Sequence, residues 1–289
     1  MTKERNQFVD IIRGVAMLLV VLGHTMTGST VNSQSSFLFN IVWSLQMPLF
    51  ILISGYVTRY SKEIRTISEL FKFFLKRTTA YLLPFAVWSF LIRGIILNQK
   101  VFLDIKYMLW HIDSGYWFLI TIWTISMIFG IANFASSKIK KSVLGKQILL
   151  FVVYACGMAL LGTIGYFAGI SFLGIKLTLY YMPFYFVGYL YGQYRDKIFS
   201  FSFGKTAVDI IVAICLAVWI FALIRFNIYE LSDGGKDIIL RAAVSLSGCI
   251  AVCGLLKGIL SEKSRGGICP QSNGRVPTRS KYTLPITYS

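Results

Sequence analysis

Residues 5–25 read RNQFVDIIRGVAMLLVVLGHT. The stretch is long and apolar enough to cross a bilayer, which takes roughly 20 residues as a helix. It nevertheless carries Asp10, Arg13 and His24. Ionisable groups are costly at membrane depth, so each needs a reason. Positions 13 and 24 lie close to three helical turns apart, so they share one face at ~16 Å along the axis. Asp10, three residues before Arg13, extends the same stripe. Gly23, Thr25 and Thr27 are small or hydroxylated, which suits a face lining a polar cavity. Asp10 with Arg13 also suits an ion pair at headgroup level, snorkelling to water. The apolar run is too long for a cleaved leader and lacks a small-x-small site. It reads as a retained helix that starts in the cytoplasm.

The rest of the chain repeats the pattern. Of 289 residues, 56% are hydrophobic and 14% charged, and the mean hydropathy is +0.66. Soluble domains carry about 25% charged residues. The sequence therefore predicts an all-α, polytopic integral membrane helix bundle of about eight spans, near 8–28, 37–57, 78–97, 116–134, 148–169, 172–192, 206–226 and 238–258. Hydrocarbon offers the backbone no partners, so each span must be helical. Residues 1–260 form this transmembrane domain. Residues 261–289, rich in Gly, Pro, Ser and Arg, read as a flexible cytoplasmic tail.

The net charge of +17 would suggest nucleic acid in a soluble protein. Here the bases cluster between spans, the signature of cytoplasmic loops, and nucleic acid is excluded as a partner. With the N-terminus inside, Arg59, Lys62, Arg65, Lys72, Lys76, Arg77, Lys138, Lys140, Lys141, Lys146, Arg195, Lys197, Lys205 and Lys257 fall on one side. Lys100, Lys106 and Lys236 fall on the other, beside Asp104, Asp113, Glu230, Asp233 and Asp237. Segment 61–77 alternates Ile64, Ile67, Leu70, Phe71, Phe74 and Leu75 with bases, predicting an amphipathic helix on the inner lipid interface before span three. Cys156, Cys215, Cys249 and Cys253 sit in apolar runs as packing residues, and no metal site is expected. Trp117 reads equally as an interfacial belt residue and as a stacking platform for substrate, whereas His111 reads as interfacial.

Four further stretches follow residues 5–25 in a recognisable order: WSLQMPLFILISGY at 43–56, FLKRTTAYLLPF at 74–85, GYWFLITIW at 115–123 and YYMPFYFVGYLYG at 180–192. Together they resemble membrane O-acyltransferases of the acyltransferase-3 type, most closely the sugar O-acetylase (fucose 4-O-acetylase-like) branch. In that family the first helix has a basic residue, ten intervening residues and a His, here Arg13 and His24. Gln46 stands where many members have His, and Ala80 where many have a second Arg after Arg77. Members usually have ten spans, so a chain with eight reads as C-terminally truncated.

The resemblance implies acyl transfer from a cytoplasmic thioester, acetyl-CoA, to a hydroxyl of a cell-surface glycan or lipid-linked sugar at the bacterial inner membrane. Such transfer needs a base for the hydroxyl proton, and imidazole ordinarily titrates near neutrality. His24 is the expected base. Arg13, helped by Arg77, is expected to hold a CoA phosphate, which a guanidinium fork fits. Asp10 and Trp117 are the expected substrate-binding residues. Membrane lipids surround the bundle, and nothing in the sequence fixes an oligomeric state. Two rival readings are a glycan or lipid-linked sugar exporter and an inactive truncated remnant. A transporter should show inverted repeats and paired broken helices, and the sequence displays neither.

Overall fold

The computed structural model describes residues 7–29, 33–99, 104–112, 117–139, 142–200 and 204–266. Helix α1, Gln7–Ser29, is unbroken. Helix α2, Phe37–Val57, starts where the Ser36 side chain accepts from the Phe39 N–H, satisfying one orphan amide of the first turn. Helix α3, Ile67–Ala86, opens with a full capping box in which the Thr66 hydroxyl accepts from Glu69 N while the Glu69 carboxylate accepts from Thr66 N. It continues as wide π-type turns over Val87–Ile96, just beyond Pro84. Asp104 caps the short α4, Ile105–Trp110, and α5 spans Trp117–Ser136. Ser142 caps α6, Val143–Ala168. Helices α7, Ile175–Ser200, α8, Gly204–Arg225, and α9, Gly235–Gly266, complete the bundle.

The protein is an all-α polytopic bundle, and no strand occurs among the described residues. Seven helical stretches are long and apolar enough to cross a membrane: Gln7–Gly28, Phe37–Tyr60, Ile67–Ile96, Trp117–Ser136, Val143–Ala168, Thr206–Arg225 and Gly235–Gly258. The remaining expected span falls on α7. That helix is 26 residues long, enough to cross, but its tyrosines and its Arg195–Lys197 end lower its hydropathy. It can be polar because protein surrounds it: α7 packs on α2, α5, α6, α8 and α9.

The α2–α7 pair is the axis of the fold. A Cβ at Gly188 would overlap the Leu52 carbonyl oxygen, and one at Gly55 would overlap the Tyr185 carbonyl oxygen. Glycine at both positions lets the two backbones touch, as small residues do in membrane bundles. One apolar cluster, containing Val9, Ile12, Leu49, Tyr56, Trp219 and Cys249, joins α1, α8 and α9 to α2. A second, containing Ile51, Ile122, Phe129, Tyr154, Met182 and Tyr185, joins α5 and α6 to the other side of the axis. Helix α3 packs on α5 at the edge of this second layer.

Bonds between distant segments define two ends. At the basic end, Lys146 Nζ pairs with Glu63 (2.8 Å), Lys138 donates to the Arg65 carbonyl (3.2 Å), and Arg195 donates to the Tyr56 hydroxyl. At the opposite end, Lys176 pairs with Asp233 (2.6 Å) and Trp110 donates to the Ala168 carbonyl (3.1 Å). Two sequence expectations are corrected. Segment 61–77 is not a separate interfacial helix: residues 61–66 form a linker whose Ile64 is buried against Asn133, and one continuous helix runs from Ile67 to Ile96. Residues 261–266 of the expected tail belong to α9, and the rest of that tail lies outside the described residues. The opposite end also carries Arg93, Lys176, Arg225 and Arg241, though Lys176 is neutralised by Asp233.

Candidate functional site

Helix α1 turns one face to the protein. Val9, Ile12, Ala16 and Gly23 are buried there, packed towards α2 and α9. A Cβ at Gly23 would collide with the Gln46 side-chain oxygen, so the glutamine of the second helix rests directly against the residue before His24. Because α1 is unbroken, Arg13 and His24 share an azimuth to within ~20°. That azimuth borders the buried face, and both side chains are exposed. Asp10, half-buried, lies on the same side one turn below Arg13. The neighbouring hydroxyls bond back to their own helix: Thr25 Oγ1 donates to the Leu22 carbonyl (2.9 Å) and Thr27 Oγ1 is 3.0 Å from the carbonyls of Gly23 and His24. Their side chains are satisfied within α1, as is usual for Thr inside a helix.

Arg77 sits elsewhere. It projects from α3 into the second layer, donating to the Tyr81 hydroxyl (3.1 Å) and lying 5.2 Å from the centroid of the Phe73 ring. Nearby, Trp123 Nε1 donates to Thr78 Oγ1 (3.1 Å), pinning α3 to α5. Trp117 stands at the first turn of α5, at the opposite end of the bundle, stacked on Tyr181 with centroids 5.6 Å apart. The stripe Asp10–Arg13–His24 is thus one unit. Arg77 and Trp117 belong to the layer on the far side of the α2–α7 axis, because α1 packs mainly on α2 and α3 mainly on α5. His111 stacks on Tyr107 (4.1 Å, 6°).

Sequence reasoning passed over several polar groups. Arg241 lies inside an expected span, donating to the Leu231 carbonyl, with one guanidinium nitrogen 3.9 Å from Asp233. Asp209 lies in another, on the wall of an apolar cavity. The rule that singled out His24, that an ionisable residue inside a span needs a reason, applies to both. Electrostatics outside the spans is local. The Lys146 ammonium and then the Arg65 guanidinium hold the Glu63 carboxyl below its ordinary range, and Lys176 does the same to Asp233.

A multi-pass helical bundle whose first helix carries a carboxylate, a guanidinium and an imidazole on one side defines a polytopic membrane protein with a polar stripe on that helix. The chain belongs to the acyltransferase-3 family, whose acyltransferase domain matches residues 6–284. It is, in that general sense, a multi-pass membrane acyltransferase. No curated protein and no solved structure matches it.

Proposed function

We propose that the protein is an O-acetyltransferase that moves an acetyl group from cytoplasmic acetyl-CoA to a hydroxyl of a cell-surface or lipid-linked glycan at the bacterial inner membrane. The observation that carries this reading is the alignment of Arg13 and His24 on one face of an unbroken helix in a chain of this family. A guanidinium and an imidazole facing hydrocarbon would be costly, so that face calls for water, protein or substrate beside it. The basic end is the cytoplasmic end in this reading, by the positive-inside rule. Arg13, nearer that end, engages a CoA phosphate, while Arg77 stands across the α2–α7 axis from it. An extended pantetheine arm covers the ~16 Å that separates Arg13 from His24.

At His24 the neutral imidazole removes the proton from the acceptor hydroxyl as its oxygen attacks the thioester carbonyl. The C–S bond then breaks, the sulfur leaves with the electron pair, and the imidazolium returns the proton to it. Products are the ester and free CoA. Asp10, one turn below Arg13 on the donor side, and Trp117, across the α2–α7 axis, stand apart from this centre. The test compares glycan acetyl content in cells expressing wild type, His24→Ala and Arg13→Ala at equal protein levels. Loss of acetylation in both variants is expected. Unchanged acetylation in both removes the catalytic reading, and loss of surface glycan with the remaining chains still acetylated favours export.

A further inference from the structure

An apolar void lies away from the Arg13–His24 face, at the basic end of the first layer. It encloses about 570 Å³ between α2, α7, α8 and α9, with Phe8 of α1 at its edge. Ile53, Val187, Ile211 and Cys253 are among its walls, and Asp209 and Lys257 stand on its lining. Its volume falls in the ~300–1,000 Å³ range of small-molecule sites.

The cause of the void is the path of α8. At the opposite end α8 is clamped to α2: Trp219, Ala222 and Leu223 are buried, Trp219 Nε1 donates to Ser44 Oγ (3.2 Å), and Asn40 Nδ2 donates to the Leu223 carbonyl (3.1 Å). Towards the basic end no residue from 206 to 214 is buried. Helix α8 stays against α9 throughout, since Gly248 packs on Trp219 and Gly254 on Val212. Held at one end and leaning on α9, α8 diverges from α2 and α7 and leaves a wedge that widens towards the basic end.

Such a wedge does not stay empty. Unfilled apolar walls forfeit dispersion contacts, and water there would find few partners. The hydrocarbon always present at this depth is a lipid chain of the adjoining leaflet. The polar groups beside the wedge favour one kind of head. Lys257 lines it with Asp209, and the hydroxyl of Tyr56, another lining residue, accepts from Arg195, so cations flank the wedge at the basic end. We infer that this wedge is a binding site for one anionic phospholipid, with an acyl chain between α8 and the α2–α7 pair and the phosphate at Lys257 and Arg195. The site is independent of the proposed chemistry at His24.

The test places the protein in phosphatidylcholine nanodiscs containing a small fraction of phosphatidylglycerol with a diazirine in mid-chain. After illumination, adducts are mapped by mass spectrometry. Adducts should concentrate several-fold in peptides covering 208–212 and 249–254, relative to the exposed Val152 and Phe221. Val208→Trp, and independently Cys253→Phe, should abolish that enrichment in protein that still elutes as wild type, and Lys257→Gln should weaken it. Even labelling of all exposed faces overturns the site, as does a wedge that takes up no lipid because residues 267–289 or a second copy fill it. Equal enrichment from diazirine phosphatidylcholine overturns the anionic head, and stronger labelling by a photoreactive long-chain acyl-CoA overturns the phospholipid.

Discussion

On α1 the buried positions Val9, Ile12, Ala16 and Gly23 are separated from Arg13 and His24 by roughly 80° of helical rotation. The polar stripe therefore runs beside the packing seam, where substrate could reach it without parting α1 from α2. If His24 is the base and Arg13 the phosphate anchor, their substitutions separate kinetically. His24→Ala should lower kcat by about 10²–10⁴, the usual contribution of a positioned base, with little change in KM for acetyl-CoA. Arg13→Lys keeps the charge but loses the planar fork, so it should raise KM for acetyl-CoA more than it lowers kcat. Steady-state assays on solubilised protein decide, and a His24→Ala enzyme with unaltered kcat would refute the assignment. Residue spacing alone made the shared azimuth legible, because 3.6 residues per turn is a constant of the helix. Exposure was not legible, since it depends on which neighbours α1 acquires.

Elements meet where two quoted stretches of sequence interlock. The ISGY of α2 and the FVGY of α7 place Gly55 against the Tyr185 carbonyl and Gly188 against the Leu52 carbonyl. Gly188→Ala should be among the most damaging single-methyl changes in the chain, because the obstructing Leu52 oxygen is backbone and cannot rotate away. Overpacking costs typically 1–3 kcal/mol, and this rigid site belongs at or above the top of that range. Gly162→Ala, with nothing within 4 Å, is the matched control and should melt as wild type. A second prediction concerns Asn40, buried at the far end of α2. Its Nδ2 donates to the carbonyls of Leu223 (3.1 Å) and Phe226 (2.7 Å), and its Oδ1 accepts from Ile228 N (2.8 Å). Asn40→Ala leaves three backbone groups unpaired at about 1–3 kcal/mol each. It should lower the melting temperature strongly and raise hydrogen exchange at Ile228, and an exchange rate unchanged at Ile228 would count against the clamp. Neither contact was legible in the sequence, because each joins segments 130 or more positions apart. The π-type turns after Pro84 were not legible either, since nothing in VWSFLIRGII distinguishes them from an ordinary span.

At the scale of the whole molecule, hydropathy and the placement of Lys and Arg made the bundle and its two ends legible. They also placed a span on α7, whose polar composition follows from its central position, but misjudged the linker 61–66, which amphipathic spacing assigned to lipid. That linker is a latch. Glu63 accepts from Lys146 Nζ of α6 (2.8 Å) and from Arg65 (2.9 Å), Ile64 N donates to Asn133 of α5 (3.0 Å), and Lys138 holds the Arg65 carbonyl. It ties α3 to the start of α6 from outside the spans, so its strength should follow solution pH. Lys146 first, and Arg65 second, lower the Glu63 pKa from its ordinary 4.5. A carboxylate with a depressed folded-state pKa stabilises fully above the unfolded value, and that stabilisation disappears as pH falls through the folded one. Melting temperature should therefore be flat with respect to this group from neutrality down to about pH 4.5 and decline below it. Because the Glu63 side chain is 29% exposed, solvent screening keeps the loss to about 1 kcal/mol or less. Asp233, lowered by Lys176 at the opposite end, adds a decline of the same sign below its ordinary 3.8, so Asp233→Asn is the background in which to measure. In that background Glu63→Gln should melt slightly lower at pH 7 and show a shallower acid decline between 4.5 and 3.5, the rest coming from Glu69, whose carboxyl the Arg65 and Thr66 N–H groups also hold below its ordinary range. A variant that keeps the full acid decline shows that the latch does not set it, and the origin must then lie among carboxylates such as Glu69 in the α3 capping box.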